Sequence, residues 1–97
     1  MVLVAILTVR KQALEQFRAY ETQAARIMRD HGGRIERTVV VADGADTIKE
    51  VHLVTFRDEA AFTAYKADRR LAAVAHLREA SVVRTEVLAG EDGPTYA

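Results

Sequence analysis

His52, Glu21, Tyr65 and Asp68 are the side chains best suited to acid–base chemistry in this chain. His52 sits in the apolar run Val51-His52-Leu53-Val54-Thr55-Phe56 and shares a face with Val54 and Phe56. Phe56 immediately precedes a helix start, so it should point toward the helices. By strand parity His52 should do the same. An imidazole there can act as a general base or hold a ligand carboxylate, because its pKa lies near neutrality. The ordinary alternative is a core histidine bonded to a neighbour. Glu21 falls on the apolar stripe of a helix, where a carboxylate must be paired or wet. It would serve as the acid or base partner of His52 in a cleft, or else pair with Arg18 or a strand arginine. Asp68 would orient the imidazole, with helix capping as its simpler role. His52, Glu21 and Asp68 are thus the expected catalytic set.

Tyr20 and Tyr65 carry hydroxyls on large apolar bodies and suit the walls of a small-molecule cleft, although core packing would also explain them. Arg69, Arg70 and Arg78 could hold an anionic substrate, a role that competes with plain solvation. His76 joins Tyr20, Tyr65 and Arg69 as an expected binding residue. His31 precedes Gly32-Gly33, where a cation complements a helix C-terminus. Three scattered histidines make no metal site. The chain has no phosphate loop, nucleophile elbow or dinucleotide fingerprint, so neither metal nor cofactor is expected.

The elements that must position these groups read clearly. Residues 2–9 are an apolar strand, and 12–31 carry helical spacing through Leu14, Phe17, Glu21, Ala24, Met28 and His31. Gly32-Gly33 supplies the C-terminal cap. Residues 34–42 alternate at their start like an edge strand, and 43–46 form a turn. A third strand spans 50–57, and Asp58 caps a second helix that breaks near 68–70 and resumes over 71–80. Residues 81–89 form a fourth, alternating strand. The order β-α-β-β-α-β is the split-βαβ, ferredoxin-like arrangement with a four-stranded antiparallel sheet, of α+β class. Residues 1–90 form a single domain, and 91–97 are a tail expected to be mobile or to lie on a partner.

Composition narrows the partners. Fourteen basic residues balance fourteen acidic ones, which leaves no electrostatic footprint for nucleic acid or anionic membrane. The apolar start is too short for a membrane span and lacks a basic segment before it. Cysteine is absent, as suits a cytoplasmic protein. Two helices cover only one face of a four-stranded sheet, yet strands one and three are apolar on both faces. A second copy of the same sheet is the simplest cover, so a homodimer is expected.

The segments Phe17-Arg18-Ala19-Tyr20-Glu21 with His31-Gly32-Gly33-Arg34, Phe56 to Asp68, and Leu77-Arg78 with Arg84-Thr85-Glu86-Val87 resemble the dimeric α/β-barrel superfamily. Within it the chain is most similar to a short family of unknown function. The resemblance covers roughly residues 2–89. It implies the ferredoxin-like fold and dimerisation. The superfamily includes cofactor-free monooxygenases, haem-degrading enzymes, lactone isomerases and proteins of no known activity. The monooxygenases commonly use Asn and Trp, and the haem-degrading members use Asn, Trp and a late-helix His. This chain has neither Asn nor Trp, and only His76 lies near that last position. Both specific activities are therefore disfavoured.

The expected function is a small-molecule-binding homodimer that acts on a small organic substrate by cofactor-independent proton transfer or oxygenation. The alternative class is a non-catalytic ligand-binding or regulatory module. Amino-acid-sensing domains share the element order but bind at a glycine-containing first turn, which Thr8-Val9-Arg10-Lys11 lacks. An RNA-recognition sheet needs aromatics on strand one, and there are none.

Overall fold

The computed structural model describes residues 1–96. Its strands are β1 (Val2–Arg10), β2 (Gly33–Asp43), β3 (Thr47–Phe56) and β4 (Val82–Gly90). Its helices are α1 (Leu14–Asp30), α2 (Glu59–Lys66), α3 (Arg69–Ala73) and α4 (Ala75–Ser81), with a 3₁₀ turn over Lys11–Ala13. All strand pairings are antiparallel, in the order β2-β3-β1-β4. Strands β1 and β3 are therefore central, and β2 and β4 lie at the edges. This is the ferredoxin-like topology.

Local chemistry sets the boundaries. The helix α1 ends where Gly32 takes φ +72° and donates to the Arg29 carbonyl at 3.1 Å, one of the bonds of a glycine C-cap. Asp58 opens α2 by accepting from the Ala61 N–H at 2.8 Å. Asp68 opens α3 in the same way, accepting from the Arg70 N–H at 2.8 Å. The second helical region breaks twice rather than once, because Val74 ends α3 and begins α4. Strand β3 starts at Thr47, earlier than expected. The Thr47 hydroxyl donates to the Asp43 carbonyl at 2.7 Å and closes a tight hairpin around Gly44. Residues 91–96 have no regular structure, and Ala97, the end of the expected tail, lies outside the described residues.

The core lies between one sheet face and the helices. One cluster joins Leu3, Val54 and Phe56 to Ile27, Met28, Ala61 and Tyr65. A second joins Leu7 and Val9 to Phe17. Ala5 stands between Leu3 and Leu7 on the same strand face. Its cross-strand partners are His52 on β3 and Val87 on β4. A methyl group in the middle of that row leaves space over the sheet where bulkier residues would fill it.

The opposite sheet face has no helix over it. Cross-strand partnering sets Leu53, Val4 and Leu88 in one row and Val39, Val51 and Ile6 in the next. Leu53, Val39 and Leu88 are 40%, 41% and 54% exposed, so this apolar patch faces solvent in the single chain.

Candidate functional site

A cavity of about 220 Å³ lies above Ala5, between the sheet and the helices. Its floor is Leu3, Ala5, Leu7 and Val54, and its polar groups are Tyr20, Glu21, His52, Tyr65, Lys66, Arg78 and Thr85. It is smaller than the roughly 300–1,000 Å³ sites that take drug-sized ligands. A monocyclic or short-chain molecule fits that space better than a polycyclic one.

His52 is 4% exposed, and its two ring nitrogens face different carboxylates. Nε2 lies 2.7 Å from Glu50 Oε1. An ionised carboxylate only accepts, so Nε2 carries the proton in that bond. The other Glu50 oxygen accepts from the Arg18 guanidinium, which reaches in from α1. His52 Nδ1 lies 3.9 Å from Glu21 Oε2, on the side of the cavity. The ring is therefore fixed from behind by Glu50 and presents Nδ1 toward Glu21. A base oriented by a carboxylate is the logic of activated acid–base sites.

Glu21 is tuned by its surroundings. Burial pushes its carboxyl above the usual glutamate range. The His52 ring pulls it back down, and the Glu50 carboxylate raises it further. Glu21 therefore holds its proton to higher pH than an exposed glutamate would. Burial also pushes the Tyr20 and Tyr65 hydroxyls up. Both remain protonated at neutral pH and serve as hydrogen-bond donors, not bases.

The structure thus brings together His52, Glu21, Tyr20 and Tyr65. It sets the other expected residues elsewhere. Asp68 bonds His31 Nε2 at 2.8 Å and Arg70 Nη2 at 2.9 Å, and it caps α3. Bonds from Arg70 and His31 hold its carboxyl far below the usual range, so it is a fixed anion tying α1 to α3. It does not line the cavity, because the break after Lys66 turns it toward the end of α1. Arg69 is exposed at the start of α3, and His76 is exposed on α4. Neither lines the cavity. Arg18 pairs with Glu50, not with Glu21.

Glu50 is the residue that sequence reasoning missed. It is 2% exposed and two positions from His52, hence on the same strand face. Among the described residues no group of three or more His, Cys, Asp or Glu side chains is arranged to hold a metal ion.

Comparison with known proteins places this architecture. A protein of unknown function from Rhodopseudomonas palustris superposes with a TM-score of 0.70 at 14% identity, over 95% of this chain and 84% of that one. SnoaB, a cofactor-independent oxygenase from Streptomyces nogalater, gives 0.64 at 14% identity, over 95% and 94%. The C-terminal domain of the MgtC protein from Mycobacterium tuberculosis gives 0.60 at 14% identity, over 98% and 93%. At such identity these likenesses speak for the shared ferredoxin-like fold alone. No curated protein matches the sequence. The family model for a domain of unknown function, DUF1330, matches residues 3–91. With nearly its whole length matched, the chain belongs to the DUF1330 family.

Proposed function

We propose that this protein is a cytoplasmic homodimer that binds a small organic molecule in the cavity and moves a proton on it without a cofactor. The observation that carries this reading is the split environment of His52. Glu50 engages Nε2, while Nδ1 faces Glu21 across the cavity wall. His52 is the base, Glu21 is the proton-holding partner, and Tyr20 and Tyr65 donate to an oxygen of the substrate. A deprotonated substrate can be reprotonated elsewhere, which is isomerisation. It can also react with dioxygen, the course suggested by the fold shared with an oxygenase.

The test is hydrogen–deuterium exchange of small carbon acids, such as monocyclic β-diketones, in deuterated buffer. Exchange faster than buffer supports an enzyme. Binding without accelerated exchange supports the ligand-binding module instead. No helix is long and apolar enough to cross a membrane among the described residues.

The dimer joins two uncovered sheet faces. Leu53 lies in the middle of the apolar patch, beside Val4. Leu53→Glu places a charge there, and two-fold symmetry counts it twice. A central interface residue contributes about 2 kcal/mol or more. The dimer should therefore weaken by roughly 10³-fold. Leu53 is already 40% exposed in the single chain, so the monomer should still fold. Light scattering at micromolar concentration should show a dimer for the parent protein and a monomer for Leu53→Glu. A normal Leu53→Glu dimer would show that another surface joins the copies.

A further inference from the structure

Arg78 lines the cavity from α4, half-buried, and donates to the Thr85 hydroxyl of β4. A guanidinium has five N–H donors in a rigid fork suited to carboxylates. Among the described residues Arg78 makes no ion pair and no other side-chain hydrogen bond. Arg10, Arg26, Arg29, Arg37 and Arg69 also lack an ion pair among the described residues, but none of them lines this cavity. Arg18, Arg34, Arg57, Arg70 and Arg84 each lie within ion-pair distance of a carboxylate. Lys66, at the same cavity, likewise has no carboxylate partner and rests its ammonium over the Phe62 ring at 4.4 Å.

The cavity thus carries two unpaired cations beside an apolar floor of Leu3, Ala5, Leu7 and Val54. Among the described residues its only acidic side chain is Glu21; Glu50 does not line it and is held by Arg18 and His52. Burial favours the neutral form of Glu21, which adds to the positive balance. A site with an apolar floor and an unpaired guanidinium at one side selects a ligand with the complementary pattern.

The geometry points to a small monocarboxylate with an apolar body as the ligand, its carboxylate on Arg78 and its reacting carbon toward His52. This rests on the cavity reading above and adds the substrate class to it. Thr85 is then a positioning residue. Its hydroxyl holds one donor of Arg78 so that the remaining donors turn toward the ligand. Lys66 adds long-range attraction at the rim.

Phenylacetate and its neutral counterpart phenylacetamide make the test, because they share size and ring and differ in charge. Binding is followed by NMR titration of the parent protein, Arg78→Gln and Thr85→Val. A charge-assisted bond predicts that the parent protein prefers the acid by about 10–100-fold. Arg78→Gln should lose that preference, and Thr85→Val should reduce it. Thr85→Val keeps the guanidinium and serves if Arg78→Gln folds poorly. Equal binding of acid and amide by the parent protein overturns the carboxylate inference and leaves the cavity reading intact. An acid preference that survives Arg78→Gln also overturns it. Failure of both ligands to perturb the cavity residues overturns the inference together with the reading it rests on.

Discussion

Replacing Gly33 with valine is expected to lower the melting temperature by about 10 °C or more. Gly33 opens β2 opposite Phe56 in the ladder. A Cβ at Gly33 would sit 2.3 Å from Cε1 of the Phe56 ring and 2.6 Å from Cδ1 and Cζ. That ring is 3% exposed and packs on Phe62 and Tyr65 at centroid distances of 5.2 and 5.5 Å. It cannot yield without opening the main core cluster. Overpacking of this kind costs typically about 1–3 kcal/mol, occasionally more, and valine adds further methyl groups. In a domain this small each kcal/mol shifts the midpoint by about 4–8 °C. Gly32→Val is the internal comparison. Gly32 holds the positive φ, but the nearest atom to its added Cβ is the Arg57 guanidinium at 3.8 Å. Its penalty is the left-handed backbone alone, about 1–2 kcal/mol. Thermal melts of the two variants should therefore rank Gly33→Val as the more damaging. The reverse order would mean that Phe56 does not pack on the β2 start. Phe56 and Tyr65 also line the cavity, so Gly33→Val should disturb ligand binding as well.

The second large effect is on chemistry. His52→Gln should reduce catalysed proton exchange by about 10²–10⁴-fold, the usual worth of a positioned general base. Glutamine can still donate an amide N–H toward Glu50, so the melting temperature should change little. His52→Leu gives the contrast. It leaves the buried Glu50 oxygen without its partner, at about 1–3 kcal/mol. A purely structural histidine would show the opposite pattern, with exchange unaffected and only the melts altered.

The fold was legible because each element carried its own signal. Apolar runs marked the central strands, alternation marked the edges, and Gly32-Gly33 and Asp58 marked helix ends. The helix-side placement of His52 followed from parity with Phe56, and Glu21 followed from its place on the α1 stripe. Glu50 was hidden by a boundary. The expected strand over 50–57 opens on Glu50, which leaves that glutamate at a strand end. The Thr47–Asp43 closure puts it in mid-strand instead. Arg18 as its partner, 32 residues away, belongs to tertiary packing that no local pattern encodes. Asp68 takes the capping role that the sequence offered beside the acid–base one. Its type and position suited an acid–base partner, but the short break before α3 turned it into a cap.

Glu21 ties stability to pH in a definite direction. Its carboxyl is raised above the unfolded value, so its contribution is fully present below the ordinary glutamate pKa. That contribution is lost as pH rises through the raised value. Glu21→Gln should therefore melt above the parent protein at pH beyond this window, and the gap should close in acid. A site that gives up stability in this way is expected where function needs a destabilised group.

The claim that His52 and Glu21 form one acid–base unit is tested most directly by carbon-13 NMR titration of the Glu21 carboxyl. The midpoint should lie above the usual value of about 4.3. It should move higher still in His52→Gln, because the ring that draws it down is gone. A midpoint at or below the usual value, or one that His52→Gln leaves in place, would contradict the account.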